Sequence, residues 1–237
     1  MRRYECRIAG VRVLSNRPAD SQHPHLDGPA WCEVRFTEAP EAAASEWLSI
    51  PNPGTGAGVA IRPDGRAAVI VAAGATESAC ARELRWAVPF IAALQGETIL
   101  HASAVERGGR LYAFIAESRT GKSTFSAVLA RRGWNKAADD LLPECLGRPA
   151  ALFFLQRPPQ CARAALRRLD REEALAELVT NGFGELAAPA LWKTHFRYYC
   201  ALVESVPCYE CTIPDGLERV EEAAEWWERA IEAEDPR

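Results

Sequence analysis

The stretch Glu117-Ser118-Arg119-Thr120-Gly121-Lys122-Ser123-Thr124 sets a glycine, a lysine and hydroxyls side by side, and Asp139-Asp140 follows after a short interval. Holding a phosphate takes a bend of inward N–H groups at the positive end of a helix, a lysine for the terminal phosphates and a hydroxyl for magnesium. In that role Gly121 marks the closest approach of the backbone, Lys122 is the charge clamp, Ser123 is the magnesium ligand and Thr124 is a secondary contact. The full pattern is G-x-x-x-x-G-K-[ST], and Ala116 stands where its first glycine belongs. Alanine fits there at negative φ and costs about 1 kcal/mol at positive φ. The competing reading of Gly-Lys-Ser-Thr is an ordinary capped helix start. Transfer of a phosphoryl group also needs carboxylates, for the metal and for orienting or deprotonating the acceptor hydroxyl. Asp139 and Asp140 are the candidates against the alternative of a polar strand end, and which of them serves which role stays open.

Such a loop works only between a strand and a helix, and the flanking sequence reads that way. "TILHASAV" and "LYAFIAE" read as strands joined at Arg107-Gly108-Gly109, where glycine tolerates the positive φ of a tight hairpin. A helix is predicted over 122–132, closed by Gly133, with Arg131 and Arg132 at the end that favours cations. "WNKAADDLLPE" reads as the next strand, with the aspartates toward its C-terminal half.

Upstream, residues 1–75 read as a β-rich N-terminal lobe, with strands at "YECRI", "WCEVRF", "GVAIRP" and "AAVIVAA". Pro63-Asp64-Gly65 is the turn joining the last two. Segments 16–28 and 51–58 read as loop. A helix is predicted over 76–95, with Thr76 as N-cap, a kink at Pro89, which removes one helical hydrogen bond, and Gly96 ending it. Downstream, residues 76–237 form the expected α/β core. "FFLQRPP" reads as extended, "CARAALRRLDREEALAELV" as an arginine-rich helix, and "FRYYCALVESVPCYECTI" as two strands. The last helix is predicted over 216–233, with Leu217, Val220, Ala224, Trp227 and Ile231 buried. Glu218, Glu221, Glu222, Glu225 and Glu228 read as its solvated face. Arg163, Arg167, Arg168 and Arg171, with nearby Arg157, make a local basic cluster, read as a solvated helix paired with Glu172 and Glu173; the alternative is a grip on an acidic peptide or on product phosphate.

Bulk properties exclude some classes. The 237 residues are 48% apolar and 25% charged, with net charge −4, which argues against a nucleic-acid binder driven by charge. No apolar run reaches the roughly 18 residues that span a bilayer. "MRRYECRIAG" lacks an apolar export segment, so a cytoplasmic protein with reduced thiols is expected. Cys208 and Cys211 have metal-like spacing, but a structural zinc takes four ligands and only Cys200 and His195 lie near in sequence.

Residues 99–143, "ILHASAVERGGRLYAFIAESRTGKSTFSAVLARRGWNKAADDLLP", resemble the HPr kinase/phosphorylase family, whose core shares its fold with phosphoenolpyruvate carboxykinase. That core runs through an "LH(A/G)" strand, a hairpin, the phosphate loop, a short helix ending in "RG", a strand and "DD". The β-rich start and the helix before "LHA" are similar to shorter relatives, among them kinases of lasso-peptide precursors. The resemblance implies ATP and Mg²⁺ as cofactors, bound by Ala116, Glu117, Ser118, Arg119, Thr120, Gly121, Lys122, Ser123 and Thr124. It implies His101 near the transferred phosphate, one of Asp139 and Asp140 as base, and the other, with Ser123, at the metal (Asp140 is the metal candidate). It implies transfer to a hydroxyl, a serine of a peptide or small protein, and a homo-oligomer, with no nucleic acid or membrane partner. The alternatives are a small-molecule kinase on the same fold and a catalytically impaired binding module. The family loop is near G-x-S-G-x-G-K-[ST]: Ser118 is retained, while Arg119 replaces a glycine.

Overall fold

The computed structural model describes residues 3–19, 28–38, 45–52, 54–72, 74, 76–159, 161–182 and 189–234. Most of the loop expected at 16–28 lies outside the described residues. The chain is mixed α/β and divides into two compact units. The first holds residues 1–99, 143–146 and 185–197. The second holds 100–142, 147–184 and 198–237.

The first unit is built on a mixed six-stranded sheet in the order β1 (Tyr4–Ile8), β2 (Val11–Ser15), β3 (Trp31–Thr37), β6 (Ala67–Val71), β5 (Gly58–Ile61), β4 (Leu48–Pro51). β2 and β4 escaped the sequence reading: each is a short run, and β4 lies at the sheet edge. Alternation is clean in β3, where Cys32, Val34 and Phe36 are buried and Trp31, Glu33 and Arg35 are exposed. That is the signature of a sheet with one face packed and the other solvated. The helix α1 (Glu77–Leu94) contacts β5 and β6. Thr76 caps it by accepting a hydrogen bond from the Ala79 N–H, and it continues through Pro89.

The second unit carries another six-stranded sheet, ordered β10 (Asn135–Ala138), β8 (Ala102–Arg107), β9 (Arg110–Ile115), β12 (Ala151–Gln156), β14 (Cys208–Thr212), β13 (Ala165–Arg168). The central trio β9, β12 and β14 is parallel, and the outer pairs are antiparallel. Residues on both faces of β9 and β12 are buried, which is why these strands read as continuous apolar runs rather than alternating ones. One face packs against α2 (Lys122–Arg131) and α5 (Val220–Glu234) through a core of Tyr112, Phe114, Phe125, Phe153 and Trp227. The Trp227 ring lies 5.2 Å from both Phe114 and Phe153 and 5.3 Å from Trp134. The expected "TILHASAV" strand breaks at His101 into β7 (Ile99–Leu100) and β8, and β7 pairs with β11 (Leu142–Pro143).

Two elements correct the sequence reading. The predicted arginine-rich helix over 161–179 is a strand followed by a helix. Ala165–Arg168 pairs antiparallel with β14 as the sheet edge, and α3 (Arg171–Asn181) starts only at Asp170, whose side chain forms a reciprocal cap with Glu173. A free edge and a strong cap outweigh the helix propensity of Ala, Leu and Arg. The first of the two strands read in "FRYYCALVESVPCYECTI" is the end of α4 (Pro189–Ser205). Leu191, His195, Tyr199 and Leu202 are its buried positions, a helical spacing masked by the aromatic and β-branched residues around them. A smaller correction concerns Glu228. It lies beside the buried Ala224 stripe rather than on a solvated face, with its side chain 13% exposed. It accepts hydrogen bonds from Arg107, Arg132 and Trp134.

Candidate functional site

The loop that follows β9 begins at Ala116, which is buried and keeps a negative φ, so the missing glycine costs the backbone nothing there. The positive-φ positions are Arg119 at 72° and Gly121 at 112°. Arg119 thus occupies a left-handed conformation that glycine takes freely, at a strain of about 1 kcal/mol, and its side chain is exposed rather than folded into the bend. Thr120 N–H donates to the Glu117 carbonyl at 3.3 Å. Gly121 opens α2, and its carbonyl accepts the first helical bond, from Phe125 N–H at 2.8 Å. Among the described residues no side chain caps this turn, so its leading N–H groups remain for water or an anion.

Lys122 is buried, and its Nζ donates to the carbonyls of Ala116 at 2.7 Å and Glu117 at 3.5 Å. The ammonium spans the bend from the inside. Burial pulls its pKa below the ordinary lysine value, while Asp140 and Asp139 act in the opposite direction. Both aspartates are therefore close enough to Lys122 for their charges to be felt there. Ser118, Ser123 and Thr124 are exposed at the loop and first turn.

The acidic pair follows β10. Burial acts to raise the Asp139 pKa, but hydrogen bonds from Lys136, Ser123 and Ser103, with the Lys136 charge, hold it below the usual carboxylate range. Lys136 Nζ lies 2.7 Å from Oδ2, and the Ser103 hydroxyl donates to Oδ1 at 3.1 Å. Asp140 sits at φ 72°, a conformation aspartate tolerates better than most residues, and its Oδ1 lies 3.3 Å from His101 Nε2. The break between β7 and β8 that frees His101 from the ladder also brings it to this carboxylate.

Lys122, Ser123, Asp139, Asp140 and His101 thus form one cluster at the C-terminal end of β9, where ligands bind in parallel sheets. The sequence reading missed Ser103 and Lys136. Ser103 lies two residues after His101, and Lys136 three before Asp139, a spacing that could have pointed to it. The arginine cluster disperses. Arg167 pairs with Glu173 and Glu210, and Arg168 lies over the Tyr209 ring, while Arg157 stands apart beside Gly121. Cys208 and Cys211, three apart on β14, point to opposite faces of the sheet and do not share a ligand. Burial pushes their thiols up to about 11 and about 12.

The fold class is mixed α/β, and among the described residues no helix is long and apolar enough to cross a membrane. No family model matches the chain, and no curated protein matches it.

Proposed function

We propose that this chain is an ATP-dependent kinase of the HPr-kinase-like type, with a P-loop core that moves the γ-phosphate to a serine of a peptide or small protein. Ribosomally made precursor peptides, such as those of lasso peptides, are the acceptor class suggested by the resemblance. The observation that carries the reading is that the uncapped start of α2, with Lys122 and Ser123, lies at the same end of the sheet as the Asp139–Asp140 pair after β10 and His101 before β8.

The oxygen donors of Ser123 and the aspartates suit a hard cation that keeps phosphate ligands of its own. Mg²⁺, held by Ser123 and one of the aspartates, would supply neutralisation of the phosphate charge. Lys122 exchanges the Ala116 and Glu117 carbonyls for phosphate oxygens. The acceptor oxygen bonds to the γ-phosphorus as the bond to the β-phosphate oxygen breaks, ADP leaves, and one of Asp139 and Asp140 takes the hydroxyl proton. His101 holds the Asp140 carboxylate in orientation.

The test is incubation with ATP–Mg²⁺ and serine-containing peptides, read by mass for an added phosphate. Lys122→Ala and Asp140→Asn should each reduce transfer at least 1000-fold, roughly the scale on which charge stabilisation acts. Asparagine also accepts the left-handed backbone of residue 140, so the variant should stay folded. Undiminished transfer in either variant refutes the assignment. Tight ATP binding with no turnover on peptides or free serine would mark a binding module instead.

A further inference from the structure

Arg157 is the first residue after β12, and β12 runs parallel to β9 with Phe154 opposite Ile115. That register carries residue 157 to the same end of the sheet as the loop that follows β9. Its guanidinium lies against the glycine of that loop: a Cβ on Gly121 would come 2.9 Å from Arg157 Nη2. Pro158 and Pro159 follow immediately and restrict the backbone that carries it.

The Nε and Nη2 of Arg157 are buried and have no hydrogen-bond partner among the described residues. These two nitrogens form one edge of the guanidinium, the fork that grips two oxygens of a carboxylate or phosphate at once. Arg12 uses the same edge on Glu5, with Nε to Oε1 at 2.8 Å and Nη2 to Oε2 at 3.0 Å. An arginine fork withdrawn from water and unpaired is costly to keep. Its neighbour is a loop whose leading N–H groups already favour an anion.

We propose that Arg157 is a second phosphate-binding cation of this loop, taking two oxygens of the bound polyphosphate through Nε and Nη2 while Lys122 grips from inside the bend. The inference rests on the phosphate-loop reading above and adds to it a residue from outside the Gly-Lys-Ser-Thr motif. It also gives Gly121 a second reason to lack a side chain, since any Cβ there would displace the fork.

Calorimetric titration with Mg²⁺–tripolyphosphate, a probe without a nucleoside, tests it in the full chain beside thermal unfolding without ligand. Arg157→Met should weaken binding about 10- to 100-fold, the scale of a lost charged, two-pronged contact. Its ligand-free Tm should equal or exceed that of the unaltered chain, because an unpaired buried charge has gone. Arg157→Lys keeps the charge but not the fork and should recover little of the affinity. Affinity within twofold of the unaltered chain in Arg157→Met overturns the proposal. A ligand-free Tm lowered in both variants also overturns it, by making Arg157 a packing element. Lys122→Ala separates the two readings. If the unaltered chain binds and Lys122→Ala does not, while Arg157→Met still does, Arg157 alone is misassigned. If the unaltered chain binds no tripolyphosphate, the loop reading falls and the role of Arg157 falls with it.

Discussion

Asp139 and Asp140 are neighbours in sequence with different surroundings. Asp139 receives Lys136, Ser123 and Ser103 and is held well ionised, whereas Asp140 faces His101 from a left-handed backbone. Lys136→Met removes the closest cation, so the Asp139 carboxyl should titrate at higher pH than in the unaltered chain. A ¹³C chemical-shift titration of the labelled carboxyl reads this directly, and an unmoved midpoint would show that Ser123 and Ser103 alone set its acidity. The sign for stability follows from the same depression. Its contribution is present above the ordinary aspartate value of 3.8 and is lost as pH falls through the lower folded value. At this scale the motif residues were legible because glycine, lysine, hydroxyl and paired carboxylates carry their chemistry in their types. Ser103 was not, since a serine inside a strand carries no mark of what it faces.

Helix α5 closes one face of the second unit's sheet, and Glu228 ties it down at Arg107, Arg132 and Trp134. Burial would raise the Glu228 pKa, but the Trp134 and Arg132 hydrogen bonds and the arginine charges bring it below its ordinary value of 4.5. Glu228→Gln should therefore destabilise the fold by about 2 kcal/mol at neutral pH, the scale of hydrogen bonds to a charged group. In thermal melts the gap between variant and unaltered chain should start to narrow as pH falls below 4.5 and close once pH lies below the lower folded value, where the carboxylate is protonated in both states. A gap independent of pH would assign the loss to packing instead. Elements whose faces are fixed locally were readable: α1 from Thr76 and its apolar stripe, α2 from the loop and Gly133, α5 from Val220 to Ile231. Residues 161–179 were misread because their strand exists only against β14, a partner more than 40 residues away.

Across the whole chain, eight cysteines are free among the described residues, and their reactivity should follow burial rather than sequence. Burial pushes Cys32 and Cys211 up to about 12 and Cys208 to about 11, so all three stay protonated near neutrality. Alkylation of the folded protein at mildly basic pH should label the accessible Cys145, Cys161 and Cys200 and leave Cys32, Cys208 and Cys211 unmodified until the chain unfolds, as mass mapping would read. Early labelling of Cys211 would contradict the packed β14 core. The sequence alone determined the strand–loop–helix–strand order around Gly121, because hydrophobic period, turn glycines and motif types act over a few neighbouring residues. Only the tertiary structure decided that Asp139 meets Ser103 and that Arg157 leans on Gly121. Those are meetings of residues from separate strands, set by sheet register and by which polar groups burial leaves to be satisfied.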